Sequence, residues 1–312
     1  MRVNSSTERF SIHGEEVSFV GHNLSRPECI VAEPGGTLWI SDDRGGVTRL
    51  DPSGTQRIIG RIPGTPNGIA LESSGQLLIA DIGAGAVHRL SQSGEHHTIL
   101  DRLDGEPLGS VNFVYFDQRG VLWITVSTRT SPRSEAIKRA IPDGYVVRLD
   151  EGQPRVVASG LCFPNELRVD EQYRYVYVAE SAHGRVIRMP LLADGDLGPP
   201  EPFGPAPLFE GAIVDGIAFD AMGGLWVTEV TRNGLHRLSS NGDCHCLLED
   251  PAGKTLLFPA SITFGGPDLR TVFVGSIRAT HLATFRSPVP GAKLAHWQHT
   301  PDKSNASIGP PG

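Results

Sequence analysis

The sequence is poor in the features that mark several large protein classes. Four cysteines, Cys29, Cys162, Cys244 and Cys246, are too few to staple a chain of 312 residues. A disulfide scaffold is therefore excluded, and a reducing, cytoplasmic setting is expected. No apolar run approaches the ~20 residues of a membrane helix, and the first residues lack the apolar core of a secretory signal. Positive charge is scarce: Lys and Arg total 28 against 35 Asp and Glu, a net charge of -7. With no basic stripe, neither nucleic acid nor a membrane is expected as a partner. G-x-S-x-G, P-loop, GxGxxG and HExxH motifs are missing, and no stretch carries a helical apolar period.

What is abundant is punctuation. Glycine (37) and proline (24) together make up about a fifth of the chain, against a usual ~12%. That excess suits many short strands joined by turns. One phrase recurs: a Pro or Val, a polar residue, a short apolar stretch, a turn, then a strand such as Leu38-Trp39-Ile40-Ser41. Its copies begin near Glu28, Asn67, Asn112, Asn165, Asp215 and, more weakly, Ala260. Third strands follow most copies, as at Val47–Leu50 and Val87–Leu90, and fourth strands follow some. Four strands per ~40–50 residues is the period of a propeller blade. The reading is therefore all-β, a six-bladed β-propeller in a single domain over 1–312. Its ordered core is expected over about 16–297, between flexible tails that include Pro301–Gly312. Glu16–Val20 has no blade of its own and is read as the outer strand of blade six, closing the ring. Ala292–Trp297 competes for that place.

In a propeller the first strand of each blade lines the central channel, so equivalent positions converge on the axis. The column after the Pro or Val reads Glu28, Asn67, Asn112, Asn165, Asp215 and Ala260. Strands avoid Asn and Asp, yet five of the six are oxygen donors. An all-oxygen set with two carboxylates suits one divalent cation, Ca²⁺ first, with Mg²⁺, Mn²⁺ or Zn²⁺ as alternatives. Asn67, in Pro-Asn-Gly, also fits an ordinary turn. A buried carboxylate such as Glu28 or Asp215 is costly without a partner, and two on one axis repel unless a cation or proton lies between them.

A second column ends the following strand: Asp42, Asp81, Val126, Glu180, Glu229 and Ser276. These are either supporting acids or turn formers, and Glu180 is a candidate to touch substrate. His183 reads as a surface loop residue. Blade three carries an insertion over 127–143 with Arg129, Arg133, Lys138 and Arg139. It reads either as a lid bringing positive charge to the site or as a solvated loop. Cys244-His245-Cys246 resembles a metal clip but lacks partner ligands and is read as structural.

Arg26-Pro27-Glu28-Cys29, Pro66-Asn67-Gly68-Ile69-Ala70, Cys162-Phe163-Pro164-Asn165 and Val214-Asp215-Gly216-Ile217 with Leu225-Trp226-Val227 together resemble the SMP-30/gluconolactonase/LRE family of six-bladed propellers. The resemblance runs from Leu24 to about Phe285. It implies one divalent cation held by Glu28, Asn165 and Asp215, and substrate or water contacted by Asn112. It also implies an activity on small molecules, in many members the opening of lactones. Blade three departs from the family's Arg-x-Asn-Asp-Gly and reads Ser110-Val111-Asn112-Phe113-Val114, which points away from a sugar acid lactone. Phe113 suggests a more apolar ligand. Paraoxonase-like propellers carry a His where Asn67 stands, and strictosidine-synthase-like propellers a Glu where the last blade here reads Pro259-Ala260-Ser261.

The expected reaction is divalent-metal-dependent hydrolysis of a lactone or related ester. Water activated by the cation attacks, and Asp215 is both ligand and general base. Asn67, Asn112, Phe113, Arg129 and Glu180 are the expected substrate contacts. A phosphotriesterase, sugar dehydratase or lyase on the same centre, or a protein-binding propeller without catalysis, are the alternatives.

Overall fold

A computed structural model describes residues 9–150 and 152–297. The repeat resolves into six antiparallel four-stranded sheets. Blade one is Ile30–Ala32, Leu38–Asp42, Gly46–Leu50 and Gln56–Ile59; blade two is Pro66–Leu71, Leu77–Asp81, Ala86–Leu90 and His96–Leu100. Blade three is Val111–Phe116, Leu122–Val126, Gly144–Asp150 and Gln153–Leu161; blade four is Pro164–Val169, Tyr175–Glu180, Arg185–Pro190 and Glu201–Pro202. Blade five is Val214–Phe219, Leu225–Glu229, Gly234–Leu238 and Cys244–Glu249. Blade six is Pro259–Gly265, Thr271–Ser276 and Leu282–Arg286, completed by Ser18–Val20 from the other end of the chain. The inner strands touch in cyclic order, and the sixth meets the first. The fold is a six-bladed β-propeller.

Closure uses the segment expected for it: Ser18, Phe19 and Val20 pair with Thr284, Ala283 and Leu282. The competing segment does something else. Gly291 bridges Asp220, the Ala292 amide donates to Phe219 O, and the His296 and Trp297 ring nitrogens both lie 2.9 Å from Ala32 O. Residues 291–297 thus cross the face of the ring opposite the column residues. Upstream of residue 16, expected to be a tail, the Ile12 amide donates to Leu247 O on the edge of blade five. Pro301–Gly312 lies outside the described residues.

Each blade buries both faces against its neighbours, so second strands such as Leu38–Asp42, Leu77–Asp81 and Leu122–Val126 are buried along their whole length. Three blades share a clamp visible in the sequence as an acid six residues before a tryptophan. Trp123 Nε1 donates to Asp117 at 2.9 Å and Trp226 Nε1 to Asp220 at 3.0 Å; Trp39 makes the same bond to Glu33. A tryptophan needs a partner for its one N–H when buried, and the acid also ties the turn between the two strands. The insertion over 127–143 contains the short helix Ser134–Arg139. Six residues are too few to show a helical period in sequence.

Candidate metal and active site

The inner strands do not run straight into the channel. Pairing with the second strand shifts register between Pro66 and Ile69, Val111 and Phe113, Pro164 and Leu167, Val214 and Ile217, and Pro259 and Ile262. These are β-bulges, which re-aim side chains and interrupt the ladder. They fall on Asn67, Asn112, Asn165, Asp215 and Ala260 of the column. Hydroxyls from the second strands and nearby loops satisfy the freed backbone groups. Thr125 Oγ1 donates to Asn165 O and Ser127 Oγ to Pro164 O, while Cys29 N donates to Ser41 Oγ and Gly216 N to Thr228 Oγ1.

Arg26, Phe163 and Phe258 each precede the proline of a column segment with φ of 49°, 60° and 47°. Left-handed backbone at a non-glycine residue costs ~1–2 kcal/mol. Here it turns the chain inward just ahead of Glu28, Asn165 and Ala260. Where adjacent inner strands come closest, only small residues fit. A Cβ on Gly216 would lie 2.3 Å from Ala260 O, and one on Gly68 2.6 Å from Phe113 Cα.

The column converges as the sequence implied. Glu28, Asn67, Asn112, Asn165 and Asp215 are each no more than 6% exposed. Arg26 lies against Glu28 as an ion pair and donates to Asn67 Oδ1 at 2.8 Å; Asn67 Nδ2 donates to Asn112 O and Oδ1. On the other side, Asn165 Nδ2 donates to Ser181 Oγ, which donates to Val214 O beside Asp215. Asp215 stands within electrostatic reach of Glu28, Glu166, Arg26 and Arg133. Its pKa is raised well above the usual carboxylate range. Burial is the main cause and the charges of Glu28 and Glu166 add to it, against the opposing pull of Arg26 and Arg133.

Glu166 is the site residue that sequence reasoning missed. It stands where blades two and five have Gly68 and Gly216, and the bulge turns it inward beside Asn165. Burial raises its pKa. Its carboxylate accepts from Arg168 Nη2 at 2.9 Å and from Ile217 N at 3.1 Å. Arg168 in turn lies over the Phe113 and Tyr115 rings. The signal available was a carboxylate one residue after a column Asn.

The expected substrate contacts divide. Asn67 and Asn112 belong to the central network. Phe113 is 4% exposed and packed beneath Arg168, within the ring wall. Arg129 is exposed, lies over the Tyr145 ring, and donates its backbone N–H to Asp143. Glu180 accepts from Cys162 N at 2.8 Å and Arg185 Nε at 2.6 Å, with His183 Nδ1 at 3.1 Å. Together Cys162, Glu180 and His183 could offer three ligand atoms, but the Arg185 guanidinium already occupies this carboxylate. Asp42, Asp81 and Glu229 likewise fasten turns, through Arg44 and Thr48, His88 and nearby amides, and Thr231 and its neighbours. Cys29, in the column's second row, is buried and its thiol is pushed up to about 12, which makes it a packing group. In blade five, His245 bonds Phe10 O and Cys244 Sγ lies near His236 Nδ1.

The donor set fits a hard divalent cation. Glu28 Oε2 is buried and accepts no hydrogen bond, although Arg26 lies beside it. Asn165 spends its amide N–H on Ser181 and so keeps its carbonyl oxygen available. Asp215 is destabilised as an anion unless positive charge or a proton joins it. Residues 26–278 match the SMP-30/Gluconolactonase/LRE-like region. The chain belongs to that family. A 6-deoxy-6-sulfogluconolactonase of Pseudomonas putida is 25% identical over 248 residues, 78% of this chain and 80% of that one. The fold matches a gluconolactonase of Xanthomonas campestris with a TM-score of 0.71 and 20% identity, over 88% of this chain and 89% of that one. It also matches a calcium-binding regucalcin of Agrobacterium tumefaciens, TM-score 0.71 and 19% identity, over 88% and 96%. Among the described residues, no helix is long and apolar enough to cross a membrane.

Proposed function

We propose that this member of the family is a divalent-metal-dependent hydrolase that opens a lactone or related ester. The observation that carries the reading is the grouping of two buried carboxylates, Glu28 and Asp215, with the open carbonyl of Asn165 at the start of the inner strands. The sulfogluconolactonase relative supports the substrate class, and the calcium-binding neighbour supports the ion.

Glu28, Asn165 and Asp215 would hold the cation. When bound, it supplies Lewis-acid polarisation of the ester carbonyl and makes water more acidic. Asp215 takes the proton of the attacking water and returns it to the leaving alkoxide, so that no net proton stays on the protein before the acid product ionises. A raised pKa in the absence of the cation makes Asp215 a group able to hold a proton at the site. Asn112, fixed by Asn67, orients water or substrate. Glu28, held against Arg26, stays a ligand.

The test is a panel of lactones and esters followed by proton release, with and without chelator. Turnover should vanish on chelation and return with the cation. Glu28→Gln should bind the cation at least tenfold more weakly by calorimetry. Chelator-resistant turnover, or equal cation binding by wild type and Glu28→Gln, would defeat the proposal.

A further inference from the structure

The insertion over 127–143 is held in place at both ends of its span. At its base, Asp143 accepts from the Thr128 and Thr130 hydroxyls and from Arg129 N. Further along, the helix Ser134–Arg139 packs on the turn Ser181–His183, and Cys162 Sγ lies 3.2 Å from Ala140 O. The turn Ser181–His183 holds Asn165 through Ser181. The helix therefore rests beside the column, with Arg133 at its N-cap position.

The cations of this lid are not equivalent. Arg129 is spent on the Tyr145 ring, Lys138 pairs with Glu135 at 3.0 Å, and Arg139 is exposed. Arg133 is half-buried and within electrostatic reach of Glu28, Asp215 and Arg26. None of the described residues gives its guanidinium a hydrogen bond or ion pair. Its five N–H donors are therefore free of protein acceptors and open to a ligand entering beside the column. Desolvation lowers its pKa, with only partial compensation from Glu28 and Asp215.

Charge balance points the same way. Glu166 is matched by Arg168. Glu28 and Asp215 together offset one divalent cation. With Arg26, which touches Glu28, and Arg133 counted in, the centre then carries a surplus of two positive charges. A neutral lactone leaves that surplus in place, whereas a lactone bearing an anionic group cancels part of it, and a carboxylate or sulfonate matches the guanidinium fork in a two-point contact.

We propose that Arg133 is the specificity residue of this site and selects lactones that carry a carboxylate or sulfonate substituent on the ring or its side chain. The inference rests on the lactonase reading for its substrate skeleton, and it departs from the expectation drawn from Ser110-Val111-Asn112-Phe113-Val114 because Arg133 offers from the insertion a cation that blade three lacks. Its anion-recognition half stands on the place of Arg133 beside the column and on the charge balance with the cation, not on the reaction.

Two measurements separate the two. The first compares kcat/KM for D-glucarolactone, which carries a carboxylate, a 6-sulfo-gluconolactone and neutral D-gluconolactone. Wild type should favour the anionic pair. In Arg133→Gln the ratio of anionic to neutral kcat/KM should fall ten- to hundredfold, mainly through KM, as for loss of a hydrogen bond to a charged group. Arg133→Lys should fall between, and the two anionic lactones report whether carboxylate or sulfonate is preferred. The second is calorimetry of the calcium-loaded protein with D-glucarate and D-gluconate, which needs no turnover. The dianion should bind more tightly than the monoanion to wild type, and Arg133→Gln should erase the difference. If lactones turn over but both ratios survive in Arg133→Gln, the selection by Arg133 is wrong and the lactonase reading stands. If no lactone turns over while the dianion preference depends on Arg133, the anion site stands and the lactonase reading falls.

Discussion

Replacing Asp215 by asparagine keeps the shape and one oxygen while removing the base proposed above and a charge. Loss of a general base typically costs ~10²–10⁴ in rate, or about 2.7–5.5 kcal/mol of barrier. The upper part of that range is expected here, because the structure offers no stand-in. Glu28 lies against Arg26, and Glu166 is tied to Arg168 and Ile217 N. Glu180 and Glu229 are engaged with Arg185 and with Thr231 and the Arg232 amide. The assay is proton release at saturating cation, so that weaker binding does not masquerade as lost chemistry. A second readout guards against misfolding. In the metal-free protein the Asp215 anion is disfavoured by burial and by Glu28 and Glu166, so a neutral isostere should raise the melting temperature at pH 8. Turnover within about threefold of wild type, with cation bound, would refute the role of Asp215 as base and leave it a ligand only.

Two other outcomes are expected. Asp117→Ala removes the acceptor of Trp123 Nε1, Arg119 N and Val121 N from a buried turn. It should destabilise the protein by about 2–4 kcal/mol in urea melts followed by tryptophan fluorescence, and a loss below 1 kcal/mol would contradict the clamp. At the lid, partial burial pushes the Asp143 pKa up, but the Thr128 and Thr130 hydroxyls and the Arg129 and Thr130 amides outweigh it, so the net shift is downward. A lowered folded pKa gives stability that is complete above the unfolded value, ~3.9, and is lost as pH falls through the folded one. Proteolytic nicking within 127–143 should therefore be flat from pH 5 to 8 and rise below about pH 4, whereas Asp143→Asn should be nicked faster already at pH 7.

The blades were legible because each repeats a buried strand pair whose apolar residues and turn glycines recur in order. The column was legible because Asn and Asp are out of place in strands. Glu166 was not, for a geometric reason. Strict alternation would send Glu166 to the face opposite Asn165, and only the bulge between Pro164 and Leu167 turns both residues toward the channel. Phe113 was read as a ligand contact because it stands where the family's pattern has an Asp, and in the structure Arg168 lies over its ring. Which lid arginine approaches the centre was equally beyond the sequence. That choice depends on how a six-residue helix rests on Ser181–His183, a tertiary contact without a local signature.

Residues 291–297, laid across the far face and fastened at Phe219, Ala32 and, through Gln118, at Lys293 O, cover that face and leave the column side as the approach to the site. If the protein is the hydrolase proposed above, substrate and product then share the end of the ring that carries the 127–143 insertion, and the departing acid competes directly with whatever waits outside.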